Sequence, residues 1–190
     1  MSIGERKVYD NTIYHIVQSG NNKETIFKED DDFKKFLSLI QRYMGWYDFE
    51  LYHYCLMSTH IHLLLKIFEK EVLAKLMQSL FQSFRLYFKA KYGYLGQLYQ
   101  GRYKSKIINK DEYLLVCSRY IERNPIRAGI VRDPKDYKWS SYKFYAYSGY
   151  RNDILTENPL YSTMGADRAT CESAFRNYVL TPWPNEEQAP

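Results

Sequence analysis

Residues 49–68 read FELYHYCLMSTHIHLLLKIF, and how this stretch divides decides the fold. Phe49 to Met57 is rich in tyrosine and Ile61 to Phe68 in aliphatic residues, with only Ser58-Thr59-His60 or so between them. Two extended segments joined so tightly form an antiparallel hairpin. In the second strand successive side chains point to opposite faces. Ile61, Leu63, Leu65 and Ile67 share a purely apolar face, which should pack beneath helices, while His60, His62, Leu64 and Lys66 share the other. The run is therefore not uniformly core. Its two imidazoles lie together on what reads as the open sheet face, with Cα atoms roughly 6.5–7 Å apart.

Outward from the hairpin, the other elements declare themselves by period. Asn11 to Gln18 alternates as a strand, and the turn-rich SGNNKET follows it. Asp30-Asp31-Asp32 offers N-cap chemistry for a helix over about 31–46, in which Phe33, Phe36, Leu37, Ile40 and Met44 repeat at helical spacing. A longer helix over about 70–91 carries Leu73, Leu76, Met77, Leu80, Phe81, Phe84 and Phe88 on one side, and Gly93 and Gly96 end it. LYQGRYKSKIIN, residues 98–109, reads as a strand, and Asp111 opens a helix that Pro125 should stop. Strand, helix, strand, strand, helix, strand is the order of an α+β, ferredoxin-like (RRM-like) fold. Its antiparallel sheet carries helices on one face, and here a further helix follows. Residues 1–147 form the main domain. Residues 148–190 form an irregular extension with one short helix around 166–180, and TPWPNEEQAP reads as a loose tail.

Composition bounds the function. Lys and Arg outnumber Asp and Glu by 27 to 22, a mild excess that only tilts the chain toward a polyanionic partner. Cys55, Cys117 and Cys171 are widely spaced with no CxxC pair, so no disulfide framework or zinc ribbon is expected and a reducing, cytoplasmic setting is. The first ten residues contain no signal-like apolar stretch, and the run around IHLLLKIF is too short to span a bilayer. No membrane partner is expected.

Two histidines on a strand are, taken alone, as compatible with a plain surface as with a site. The helix SRYIERNP adds Tyr120 and Asn124, at i and i+4, whose phenol and carboxamide point the same way. Arg102, Lys104 and Lys106 alternate onto one face of their strand, and Tyr99 and Tyr103 lie beside them as stacking platforms for unpaired bases. Arg119, Arg123, Arg127 and Arg132 add charge around the helix. A basic strand can also be only a solvated edge. Trp139 reads as a packing residue.

Five segments in order and spacing carry a resemblance: YHIV, MSTHIHLLL, LYQGRYKS, RYIERNPIRAGIV and YKWSSY. Over about residues 9–145 the chain resembles the single-tyrosine HUH transposases, in particular the REP-associated tyrosine transposases. Where many relatives carry Pro-Asn before the first histidine, this chain has Ser58-Thr59. The resemblance implies His60 and His62 as metal ligands, Tyr120 as nucleophile and Asn124 as a polar third ligand. Mg²⁺ or Mn²⁺ is what the resemblance implies; imidazoles alone would also accept zinc. Single-stranded, hairpin-forming DNA is the implied substrate, held by Arg102, Lys104, Lys106, Tyr99, Tyr103, Arg123 and Arg127. The implied reaction is cleavage and transfer through a covalent 5′-phosphotyrosine, by a monomer or a homodimer. Two other readings stay open at this point. One is a non-catalytic single-strand-binding module, and the other a metal-dependent hydrolase using water.

Overall fold

The computed structural model describes residues 7–182. Its elements are β1 (Thr12–Ser19), α1 (Asp30–Met44), β2 (Phe49–Met57), β3 (His60–Ile67), α2 (Lys70–Tyr92), β4 (Lys104–Ile108), α3 (Asp111–Arg127), α4 (Tyr142–Ala146) and α5 (Arg168–Leu180). The four strands form one antiparallel sheet in the order β2-β3-β1-β4, the ferredoxin-like arrangement expected from the sequence. Ser58 and Thr59 alone make the hairpin turn. Ile61, Leu63, Leu65 and Ile67 are buried in one cluster with Phe36, Leu76, Leu80 and Phe84 of α1 and α2. Trp139 stacks on Phe33 at 4.5 Å between ring centroids, in the packing role expected of it.

Helices α1 and α2 are tied by one carboxylate. Glu29 is the N-cap of α1, and the three aspartates occupy its first turn. Asp32, fully buried, reaches back to accept the Lys28 and Glu29 backbone N–H groups at 2.8 and 3.2 Å. It also accepts from Tyr87 Oη (2.9 Å), Lys91 Nζ (2.8 Å) and Tyr92 Oη (2.8 Å) of α2. Burial pushes this carboxyl up, but these donors outweigh it and hold it below its ordinary value. Removing one partner of such a buried set costs about 3 kcal/mol, so Asp32→Ala should lower the urea midpoint by a corresponding amount. A depressed carboxyl contributes stability above its unfolded pKa and loses it as pH falls through the folded one. The gap between wild type and variant should therefore shrink below about pH 4.

The second sheet face is not open. Helix α3 lies across it, with Leu114, Cys117 and Ile121 packed on Tyr52, Cys55, Met57 and Leu64. A β-bulge in β2 shifts the register between Leu51 and His53. The extra residue restarts the alternation, so His53 joins Cys55 and Met57 on the face toward α3 rather than toward α1 and α2.

Two further expectations are corrected. Strand β4 begins at Lys104, not Leu98: Tyr99 makes only an isolated bridge to Gly20, and Gly101 at φ +66° turns the chain just before Arg102. Arg102 therefore precedes the strand, and only Lys104 and Lys106 share a strand face. Pro125 does not end α3, which continues to Arg127. The proline lacks the N–H that would bond the Ile121 carbonyl. Asn124 Nδ2 supplies a donor instead, to Ile121 O at 3.3 Å and to Tyr120 O at 2.9 Å.

Residues beyond 148 pack on α3 and α4, with Phe175 and Val179 of α5 clustered with Tyr142, Tyr145 and Tyr161. Most of the expected loose tail, residues 183–190, lies outside the described residues. Among the described residues no helix is long and apolar enough to cross a membrane.

Candidate active site

The site forms where α3 crosses β3 and β1. His60 and His62 project from β3 toward α3, with ring centroids 5.1 Å apart. Thr59 Oγ1 lies 3.1 Å from His60 Nδ1, so the hairpin turn itself orients the first imidazole. His62 is only 3% exposed. On α3, one helical turn apart, Tyr120 and Asn124 face these rings. The Tyr120 ring meets His62 edge-on at 5.6 Å between centroids. The Asn124 side chain is close enough to His60 to oppose the fall in its pKa. Its amide nitrogen is already turned back onto its own helix, so its carbonyl oxygen is the atom left for the site. Arg127, exposed, lays its guanidinium 4.6 Å from the centroid of the Tyr120 ring.

A third imidazole completes the cluster, and sequence reasoning did not find it. His15 Nε2 lies 3.0 Å from His62 Nδ1, and its ring stacks on that of His62 and meets Tyr120 edge-on at 5.9 Å. Opposite Leu64 in the β1–β3 register, His15 is a diagonal neighbour of His62. Alternation along β1 was visible in the sequence, but only the register says which residue His15 meets.

Burial pushes both motif histidines toward the neutral form. His62 is held well below its usual value by desolvation, with His15, His60 and Arg127 acting in the same direction. His60 is lowered by burial, opposed by its contact to Asn124 and helped by Arg127. Neutral imidazoles are what a divalent cation requires as ligands. His15 occupies Nδ1 of His62, which leaves Nε2 for an ion. Among the described residues no three His, Cys, Asp or Glu side chains are placed to share a metal, so His60 and His62 leave room for a donor of another kind. The Asn124 oxygen is one. Two neutral nitrogens and an amide oxygen fit a divalent ion that keeps open positions.

The residues expected to hold nucleic acid separate into two groups. Lys104 pairs with Val17, which pairs in turn with His62, and Lys106 pairs with His15. Both lysines are exposed, on the face of the sheet that carries the histidines, two strand spacings or about 10 Å from β3 and one spacing from β1. Arg102 is exposed beside them and Tyr103 is half-buried. Tyr99 is only 8% exposed and packs against Phe81, so it is a core residue with no face for a base to stack on. Arg123, also 8% exposed, binds the carbonyls of Val179 and Leu180 at 2.5 and 3.4 Å. It serves the C-terminal segment, not the sheet face.

A ferredoxin-like sheet with a tyrosine-bearing helix docked against a histidine pair defines the class. Residues 8–124 match the family model described as "Transposase IS200 like". The chain belongs to that family and is a transposase. Among solved structures it is similar to a REP-associated tyrosine transposase bound to a REP hairpin, at 16% identity and a TM-score of 0.64. That alignment covers 83% of this chain and 93% of the other. A putative transposase from Deinococcus radiodurans R1 aligns at 19% identity over 68% of this chain and 92% of its own, with a TM-score of 0.42. Among curated proteins none matches.

Proposed function

We propose that this transposase cleaves and transfers single-stranded, hairpin-forming DNA through a covalent 5′-phosphotyrosine on Tyr120, with His60, His62 and Asn124 holding Mg²⁺ or Mn²⁺. The observation that carries the reading is the placement of Tyr120 edge-on against the stacked His62 and His15 rings, beneath Arg127, all within one chain. The bound REP hairpin in the related transposase supports the substrate class. A cytoplasmic location, acting on chromosomal DNA, follows from the same reading.

Tyr120 Oη would give up its phenol proton as it attacks the phosphorus, the bond to the 3′ oxygen would break, and that oxygen would take up a proton. The 3′ strand leaves as a hydroxyl, and the 5′ phosphate stays on the tyrosine in a phosphodiester that a second 3′-hydroxyl can later reverse. Arg127 over the ring favours negative charge as it develops on the phenol oxygen and sits close enough to meet a phosphate. His15 fixes the tautomer and orientation of His62. When bound, the divalent ion supplies charge stabilisation at the phosphoryl oxygens. One chain holds both halves of the site, which supports action in cis by a monomer.

Lys104 and Lys106 supply the track for the strand. Replacing both with alanine should lower the slope of log K against log salt by about 1.4 for single-stranded DNA, as measured by titration at several salt concentrations. An unchanged slope would remove them from the interface. The reaction itself is tested by incubating the protein with labelled hairpin DNA and Mn²⁺ and resolving the products on a denaturing gel. The reading expects a DNA–protein adduct that EDTA prevents. Cleaved DNA without adduct would favour a water nucleophile, and intact DNA bound by the protein would favour a binding module.

A further inference from the structure

The matched family region ends at residue 124, yet much of what holds α3 in place comes from after it. We propose that residues 148–181 position Tyr120 by gripping α3 on two sides, which makes this segment part of the catalytic apparatus. The inference rests on Tyr120 being the nucleophile. With a 100° step per residue, Ser118 and Glu122 point away from Tyr120, and Arg119 and Arg123 fall on an adjacent flank.

On that flank the two arginines, at i and i+4, seize the end of α5. Arg123 Nη1 donates to Val179 O at 2.5 Å and Leu180 O at 3.4 Å, and Arg119 Nη2 donates to Thr181 O. Arg119 also lies over the Tyr178 ring at 5.1 Å. The last carbonyls of a helix have no partner within it and carry the negative end of its dipole, so guanidinium groups suit them. Arg123 reads as a DNA contact in the sequence, and Arg119 as added charge beside it, because their charge is visible there and their acceptors are backbone.

At the back of α3, Glu122 is fully buried. Its Oε1 lies 2.8 Å from His53 Nδ1 and accepts the Ser141 hydroxyl. Asn158, from the extension, reaches over this group: its Nδ2 lies 3.3 Å from His53 Nε2 and donates to Ser118 Oγ at 2.9 Å. Its backbone N–H is fixed by Tyr145 Oη at 3.0 Å. One buried amide thus joins β2, which pairs with the histidine strand, to the helix that carries Tyr120. The β2 bulge is what turns His53 toward this contact. A helix gripped on its flank and its back, with only its site face left for substrate, keeps the phenol in register with His62.

The test uses full-length Arg123→Ala and Asn158→Ala, one from each side of the grip, with Arg123→Lys as the conservative control. Hydrogen exchange of α3 amides is read alongside the adduct rate at saturating DNA and the DNA affinity. Faster exchange confined to α3, a fall of roughly 10-fold or more in adduct rate, and unchanged affinity are expected, since small misplacements of a reacting group are costly. Arg123→Lys should recover part of the rate. Wild-type exchange in α3, or exchange that rises equally throughout the protein, would overturn the proposal. If one alanine variant fails to fold, the other and the lysine variant decide. The exchange measurement needs no activity, so the grip remains testable even if wild-type protein forms no adduct and the nucleophile assignment falls.

Discussion

Tyr120→Phe should abolish the DNA–protein adduct and slow strand cleavage by at least about 10³-fold, the scale on which enzymes lose activity with their nucleophile. The substitution removes one oxygen and little else. The ring should still pack edge-on against His15 and His62 and lie under Arg127, as Tyr120 does, so the fold and the site's shape should survive. Affinity for hairpin DNA, measured by fluorescence anisotropy, should be close to wild type because Lys104 and Lys106 are untouched. An adduct formed by the phenylalanine variant would assign the nucleophile elsewhere among the 20 tyrosines.

His62→Ala should produce the second large effect. It would remove one of the two imidazoles proposed as metal ligands and leave His15 facing a void where its 3.0 Å partner stood. Loss of the ion's charge stabilisation is worth several kcal/mol, so adduct formation should fall about 10³-fold, or roughly 4 kcal/mol in barrier. Calorimetric titration with Mn²⁺ should show the loss of binding directly. Mixing this protein with Tyr120→Phe gives a further result. If each chain completes its own site, the mixture stays inactive, whereas recovered activity would mean that α3 of one chain serves the histidines of another.

The hairpin, the two core helices and the strand order follow from residue spacing because one face of every element is apolar and the period reveals it. Ile61, Leu63, Leu65 and Ile67 could only lie against α1 and α2. What could not be read depended on tertiary partners. Leu64 and His62 looked solvent-facing because α3, some fifty residues later, supplies their cover. His53 changed faces through a single inserted residue at Tyr52, which leaves no mark in a pattern of aromatics. Pro125 carries a strong local signal to end a helix, and it was overridden by the Asn124 side chain bonding the carbonyls beneath it. Arg123 and Tyr99 have the residue types of DNA contacts but are spent on packing. His15 needed only the register between β1 and β3 to become part of the site.

The measurement that bears most directly on the central claim is identification of the residue that carries DNA. The adduct formed with Mn²⁺ and hairpin DNA is trimmed by nuclease, digested with trypsin and analysed by mass spectrometry. Cleavage after Arg119 and Arg123 releases Tyr120-Ile121-Glu122-Arg123 as a short peptide. This peptide should carry a nucleotide joined through its 5′ phosphate to the Tyr120 phenol. Cleaved DNA with the peptide unmodified, or the nucleotide on any other residue, would contradict it.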